Sequence, residues 1–522
     1  MPLKFVFGPS GSGKSTYLYQ HVIEESEKYP LKNFIVLVPE QFTMQTQKDL
    51  VSMHPRHGIM NIDVLSFARL AYRVFEETGT KQMQVLDDEG KNLILRKIAG
   101  DYEDKLTVLR GNIKKLGYIS EVKSVISEFT QYDIGEEEMD EMLDHLDEDS
   151  RLYYKLKDIR LLYEGFQDYL RERYITKEEL LDVLSSQVKE SELLKKSVVV
   201  LDGFTGFTPV QNRLILELMR CCREVWVTVT MDERENPYSY KHPYQLFGLS
   251  KQMVTTLVRM AGEDRIEVEE PVCLYGYPVK RFEKNRELAF LERNIFRYGA
   301  GRYDKAVENL EIHAAGNPRQ EADAVAEGIR RLVRKEQYRY RDIGVIVSDM
   351  NVYGDYLEQA FENYGIPVFM DHKRSILLNS FVEYIRSLLN MAEKNFSYES
   401  VFRFLRTNLA GFACEEVDEL ENYVIGLGIR GYKGWQNCWI RRLKGMEEEE
   451  LDRLNHYRVQ LVEKVDNLMF VLKQKRKTVR DITKAVYEFM VKENIQERLQ
   501  RTEEEFQKAG ELALAKEYAQ VY

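Results

Sequence analysis

The sequence is short of several things, and each shortage removes a class of protein. Its five cysteines, Cys221, Cys222, Cys273, Cys414 and Cys438, are spread along 522 residues. No pair has the two-to-four-residue gap of a zinc or iron–sulfur knuckle, so reduced, buried thiols in a cytosolic protein are the expected state. Proline is scarce, 12 in all, with none between Pro55 and Pro209 and none after Pro367. Nothing in those stretches forbids long helices. No apolar run nears the ~20 residues of a membrane span, and the chain enters an apolar strand without the basic and apolar regions of a secretory leader. A cytoplasmic protein without a membrane partner is therefore expected. Positive charge is short as well. A formal net charge of −11 excludes a wholly basic nucleic-acid coat and leaves room for a local basic groove.

What is present describes a folded protein. Hydrophobic residues make up 44% of the chain, with 32 tyrosines and 24 phenylalanines, which excludes a disordered one. The length exceeds the roughly 250–300 residues at which a single core stops growing, so several domains are expected.

The strongest local signal lies in the first sixteen residues. The apolar run Leu3-Lys4-Phe5-Val6-Phe7 feeds into Gly8-Pro9-Ser10-Gly11-Ser12-Gly13-Lys14-Ser15-Thr16. A strand followed by this spacing is a phosphate-binding loop: the glycines let the backbone curl so that its N–H groups face an anion, Lys14 reaches the outer phosphates, and the Ser15 hydroxyl is offered to Mg2+. The helix starting at Thr16 adds its N-terminal dipole. A chance match in a loop is the competing reading.

Phe34-Ile35-Val36-Leu37-Val38 and Asn61 to Phe67 read as further strands of a doubly wound α/β sheet. From about residue 81 to 190 the period turns helical, with one stripe at Ile119, Val122, Val125, Ile126 and Phe129 and another at Leu152, Leu156, Ile159, Tyr163, Phe166 and Leu170. Thr176 and Glu179 form a capping box. The acidic block Gly135–Ser150 is either a partner surface or a solvated face. The sheet resumes at Ser197 to Leu201 and ends in Asp202, placed to hold a Mg2+ shell; a strand-end turn residue is the alternative. Gly203 stands where a hydrolase of this kind usually carries a glutamate to orient water. A second α/β unit is expected near residue 308, with strands at Leu310–Ala315, Ile343–Val347 and from Val368, and helices opening at Asn317 and Tyr353. After Pro367 the chain reads as helical, apart from a loop at Gly426–Trp435. Its last helix, Arg501–Tyr522, carries no stop signal, so the chain is expected to continue in nature.

Tandem α/β units with helical blocks resemble superfamily 1 helicase motors. More closely, Gly8 to Ser15 at the very N-terminus, Val38-Pro39-Glu40-Gln41-Phe42-Thr43, and Leu201-Asp202-Gly203-Phe204 with Phe207-Thr208-Pro209 are similar to the N-terminal, helicase-like part of the AddB (RexB) family. These are the B subunits of the bacterial AddAB helicase–nucleases that process double-strand breaks. The block from Arg319-Gln320-Glu321-Ala322 through Ile343–Val347 to Gly365-Ile366-Pro367 is similar to the second motor domain of UvrD-like helicases. The implied fold is tandem P-loop (RecA-like) domains with inserted helical subdomains. Residues 1–80 with 191–300 would form the first RecA-like domain, 81–190 a helical insertion, 305–392 a partial second RecA-like domain and 393–522 a truncated helical domain.

The resemblance also implies function. ATP and Mg2+ would bind at Gly8–Thr16, with Ser15 and Asp202 on the metal. An AddA-like helicase–nuclease would be the partner, and double-stranded ends and single-stranded DNA the substrate. A role in recognising the Chi sequence is implied, while the family's 5′–3′ nuclease and 4Fe–4S cluster lie in a C-terminal part that this chain does not cover. Gln41, Phe42, Thr43, Phe204, Phe207 and Thr208 are the candidate strand contacts, since aromatics at strand ends can stack bases at ~1–3 kcal/mol each; packing between domains is the alternative for the same residues. The chain departs from a working motor at Gly203, in lacking a glutamine upstream of the loop, a Gly-Asp-x-x-Gln segment at Met231–Asn236 and an Asn-Tyr-Arg-Ser motif. Nucleotide binding is thus expected without efficient translocation. Two rivals remain: a P-loop phosphotransferase, against which length and the second unit count, and a non-enzymatic DNA-binding scaffold with a relic loop.

Overall fold

The computed structural model describes residues 2–79, 84–113, 115–171, 174–299, 301–370 and 376–522. The chain divides into two compact units, Met1–His313 and Ala314–Tyr522.

The first unit carries the strands β1 (Leu3–Gly8), β2 (Asn33–Leu37), β3 (Ile62–Leu65), β4 (Gln84–Leu86), β5 (Tyr174–Thr176), β6 (Ser197–Leu201), β7 (Glu224–Thr230) and β8 (Val272–Cys273). Six of them form one sheet in the order β3-β2-β6-β7-β1-β8, and every pairing in it is parallel. A parallel sheet needs cover on both faces, which explains why its strands read as unbroken apolar runs. Alternate residues supply the two faces. Phe5, Phe7, Ile35, Leu37, Val199 and Leu201 pack on one side, and Val6, Phe34, Val36, Val198, Val200 and Trp226 on the other.

Helices α1 (Lys14–Lys28), α2 (Thr43–Met53) and α3 (Phe67–Thr78) alternate with the first strands. Leu18, Val22 and Leu50 cover one face, while Leu70 and Val74 join the core of the other. Between β4 and β5 lie α4 (Asp88–Asp101), α5 (Leu116–Gln131), α6 (Glu136–Asp144) and α7 (Arg151–Leu170), which enclose a core of their own around Leu95, Ile98, Ile119, Val122, Ile126, Ile159 and Phe166. Both helical stripes read from the sequence face this core, except that Leu152 is 58% exposed and Leu156 is not among the residues packed in it. The short helices α8 (Leu180–Gln187) and α9 (Glu192–Lys195) lead back to β6. Thr176 and Glu179 exchange the expected capping hydrogen bonds. Then come α10 (Pro209–Cys221), α11 (Gly248–Glu263) and α12 (Arg286–Asn294). The domain limits expected at 80/81 and at 300 fall outside the described residues.

The second unit departs from expectation. Helices α13 (Pro318–Lys335) and α14 (Met350–Asn363) are present, started by the side-chain caps of Asn317 and Asp349, and they share a small core of Ala322, Ala326, Leu357, Ala360 and Phe361. The strands expected at Ile343–Val347 and Val368 do not form, nor does the one at Leu310–Ala315. Among the described residues the stretch 305–392 therefore holds helices and no sheet. An extended run is held by a hydrogen-bonded neighbour, and among the described residues these runs pair with none. Ile346 is left 97% and Phe369 88% exposed. A groove of about 850 Å³ opens between the two runs, lined by Ile329, Ile343, Leu357, Phe361 and Ile366 among others.

The rest of this unit is helical: α15 (Ser380–Glu393), α16 (Tyr398–Leu405), α17 (Cys414–Leu427), α18 (Gly431–Gln436), α19 (Glu448–Leu472), α20 (Val479–Lys492), α21 (Ile495–Ala509) and α22 (Leu512–Gln520). Tyr384, Phe404, Tyr423, Trp435, Trp439, Leu461 and Phe489 form its core. The loop expected at Gly426–Trp435 is mostly helix, because burying Trp435 to 1% exposure draws α18 into that core. The expected final helix is two helices. Gly510, at φ 83°, takes the left-handed conformation that ends α21. Among the described residues no helix is long and apolar enough to cross a membrane.

Candidate functional site at the phosphate loop

The loop leaves the carboxyl end of β1 and runs into α1. Gly11 and Gly13 have φ of 81° and 92°, a left-handed backbone that a side chain would strain. Two hydrogen bonds set the curl: Ser12 N–H donates to the Pro9 carbonyl at 3.2 Å, and Tyr17 N–H to that of Gly13 at 2.9 Å. The Lys14 ammonium turns back over the loop and donates to the carbonyls of Gly8 and Pro9, at 2.9 and 3.0 Å. Burial lowers its pKa from 10.5 to about 8, partly offset by the charge of Asp202. A cation held in a half-buried place by neutral carbonyls is a strong acceptor of an anion. The Ser12 hydroxyl is buried without a hydrogen-bond partner.

Asp202 follows β6, which stands two places from β1 in the sheet order, with β7 between them. It is 5% exposed. Its carboxylate accepts from three hydroxyls: Ser15 at 3.1 Å, Tyr19 at 2.7 Å and Thr228 at 2.6 Å. The structure thus joins the loop serine to the strand-end aspartate, 187 residues apart. Burial, and then the Asp202 charge, push the Tyr19 phenol well above its ordinary range. Among the described residues no cation comes within ion-pair distance of Asp202, and the three hydroxyls are the side-chain donors that hold it. Hard oxygen donors beside a buried carboxylate suit Mg2+, and Ser15 with Asp202 are the residues that would hold it. Gly203, at φ 79°, presents no side chain there, and its N–H donates to Thr228 Oγ1 at 3.3 Å.

Sequence reasoning missed Tyr19 and Thr228. Tyr19 lies four residues after Ser15 on α1, a spacing that puts both on one helix face, so it was findable. Thr228 needed the strand order: Leu201 pairs with Val227, which sets Thr228 beside Asp202.

The candidate strand contacts fall into two groups. Gln41 and Phe42 lie in a short 3-10 turn after β2, and Phe42 is 48% exposed. Thr43 is buried, its hydroxyl donating to the Glu40 carbonyl at 3.0 Å. Phe204 and Phe207 pack on each other and on Phe67, with ring centroids 5.2 to 6.4 Å apart. Thr208 caps α10, with its hydroxyl accepting from Gln211 N–H. Phe42 and Gln41 are thus the open members of the set. All five cysteines are free thiols, and among the described residues no cluster of three His, Cys, Asp or Glu side chains is placed for a metal ion.

An all-parallel sheet with a glycine-rich strand–loop–helix turn after its β1 strand defines an α/β protein. A family model described as "ADDB, N-terminal" matches residues 5–292. The chain belongs to the AddB family. It is 42% identical, over its whole length and 46% of the relative's, to the B subunit of the ATP-dependent helicase/deoxyribonuclease of Lachnoclostridium phytofermentans. It is 34% identical, over its whole length and 45% of the relative's, to the protein of the same name from Caldanaerobacter subterraneus subsp. tengcongensis. The chain spans about half the length of the curated relatives it matches.

Proposed function

We propose that this chain is the nucleotide-binding, helicase-like part of the B subunit of an ATP-dependent helicase/deoxyribonuclease, working with a second, AddA-like subunit on DNA ends and single-stranded DNA during break repair. The observation that carries this reading is the bond from Ser15 to Asp202, which brings a phosphate loop and a strand-end carboxylate together. Gly8 to Thr16 would cradle the phosphates of ATP, with Lys14 on the outer ones and Ser15 and Asp202 on Mg2+. The metal would supply charge neutralisation between phosphates. The protein side chains bind and orient.

Gly203 leaves no carboxylate beside Asp202 to orient water. The site therefore reads as one that holds nucleotide and turns it over slowly, with motor work left to the partner. Gln41 and Phe42 are the residues proposed to meet single-stranded DNA. The tandem-helicase reading of residues 305–392 rests on sequence likeness and on the pair α13 and α14.

The test is equilibrium binding of Mg-ATP to the wild-type chain beside Lys14→Ala, followed by a single-stranded-DNA-stimulated ATPase assay. Binding that depends on Lys14 without stimulated turnover supports the reading. Brisk turnover restores a motor, and no binding makes the loop a relic.

A further inference from the structure

The segment that follows β8 lies across the phosphate loop. Leu274 N–H donates to the Phe7 carbonyl at 2.8 Å, and Arg281 N–H to that of Gly11 at 3.0 Å, so the chain is pinned at the strand end and again on the loop itself. The approach is close: a Cβ on Gly11 would come within 2.8 Å of Arg281 Cβ, and one on Gly13 within 3.4 Å of Lys280 Cδ. The Arg281 side chain is exposed and among the described residues makes no ion pair, yet its charge opposes that of Lys14 across the loop. Two cations are thus held toward one anion cradle.

Helix α12 continues the same segment and brings an acid to the cradle. Glu292 shares a small cleft with Pro9, Asp232 and Tyr277, and its negative charge acts on Lys14. The helix is anchored at both ends. Glu287 accepts from Glu308 N–H and Asn309 N–H at 2.8 Å each. Arg293 bonds Glu233 at 2.9 Å and lies 4.6 Å from the centre of the Tyr277 ring. A carboxylate lining a cleft with the loop residue Pro9 stands near the place where phosphate oxygens would be received.

We infer that this segment grades the affinity of the phosphate site in cis: Arg281 is a further phosphate-binding residue, and Glu292 is an internal anion that the nucleotide tail must displace. The inference rests on the nucleotide reading of the loop. It assigns the ligand a polyphosphate tail long enough to reach beyond Lys14, hence a nucleoside triphosphate over a diphosphate.

The test is calorimetric titration of the 522-residue chain with Mg-ATP and with Mg-ADP, using Arg281→Ala, Arg281→Lys, Glu292→Gln and Lys14→Ala. Alanine keeps the Cβ contact and the backbone bond of Arg281 and removes only the guanidinium. Arg281→Ala is expected to weaken Mg-ATP about tenfold, the scale of one charge-assisted hydrogen bond, to weaken Mg-ADP less, and to be partly rescued by Arg281→Lys. Glu292→Gln is expected to tighten Mg-ATP about fivefold, the scale of one modest electrostatic contact. Unchanged affinity in Arg281→Ala, equal losses for the two nucleotides, or weaker binding in Glu292→Gln would overturn the inference while wild type still binds and Lys14→Ala does not. Failure of the wild type itself to bind, or binding that Lys14→Ala retains, would overturn the nucleotide reading beneath it.

Discussion

The sheet of the first unit and the extended stretches of the second begin from similar sequence. Phe34-Ile35-Val36-Leu37 and Ile343-Gly344-Val345-Ile346-Val347 are both short apolar runs next to helices. The first is paired on both sides, by β3 and β6, and buried. The second has no ladder partner among the described residues and leaves Ile346 almost fully in solvent. A strand is therefore a property of its neighbours: apolar composition makes burial favourable, but only a hydrogen-bonded partner satisfies the backbone groups that burial would strip of water.

Three experiments put that contrast at risk. The largest effect should come from one charge placed in each region. Val199→Asp, in a strand buried on both faces, is expected to cost more than about 4 kcal/mol and abolish the folding transition of the first unit; Ile346→Asp should leave melting unchanged. Equal losses in the two variants, seen by thermal melting, would show that the second stretch is buried after all. Side-chain deletion comes next. Leu201→Ala should cost about 2–5 kcal/mol and Phe369→Ala less than about 0.5 kcal/mol by denaturant titration.

The smallest effect concerns charge in the first unit. Burial pushes the Asp232 carboxyl up, but the hydrogen bonds and charge of Arg234, with the charge of Arg297, hold it at about 2, below its ordinary 3.8. A depressed folded pKa means that the unfolded chain binds more protons in that window. The stability Asp232 contributes is thus present above pH 3.8 and is lost as pH falls toward 2. Asp232→Asn should flatten that part of the acid limb in denaturation curves taken at successive pH values and leave the second unit's transition unmoved.

The legible parts of the chain were those in which neighbours in sequence are neighbours in space. Strand, loop and helix over residues 3–28 follow one another directly, and Asp202 declares itself at the end of an apolar run. The helical stripes were legible for the same reason. The three hydroxyls on Asp202 were not all legible, because Thr228 reaches it only through strand order. Nor were Arg281 and Glu292, which come to the loop from far along the chain by way of β8. The expected strands near 343 and 368 failed in the opposite way: a short apolar run does not say whether a partner exists. Gly510 was a stop signal read as an ordinary helix residue.

The parallel sheet also bears on how the molecule can be handled. Because all six strands run the same way, their amino ends lie together at one end of the sheet, where the Pro2 carbonyl accepts from Val225 N–H, and β1 reaches the phosphate loop at the other end. Six strand residues separate the two, about 20 Å at ~3.3 Å per residue. An affinity handle or surface tether joined ahead of Pro2 would grip the sheet by the strand ends remote from the loop, keeping the tether away from the loop in an immobilised binding measurement.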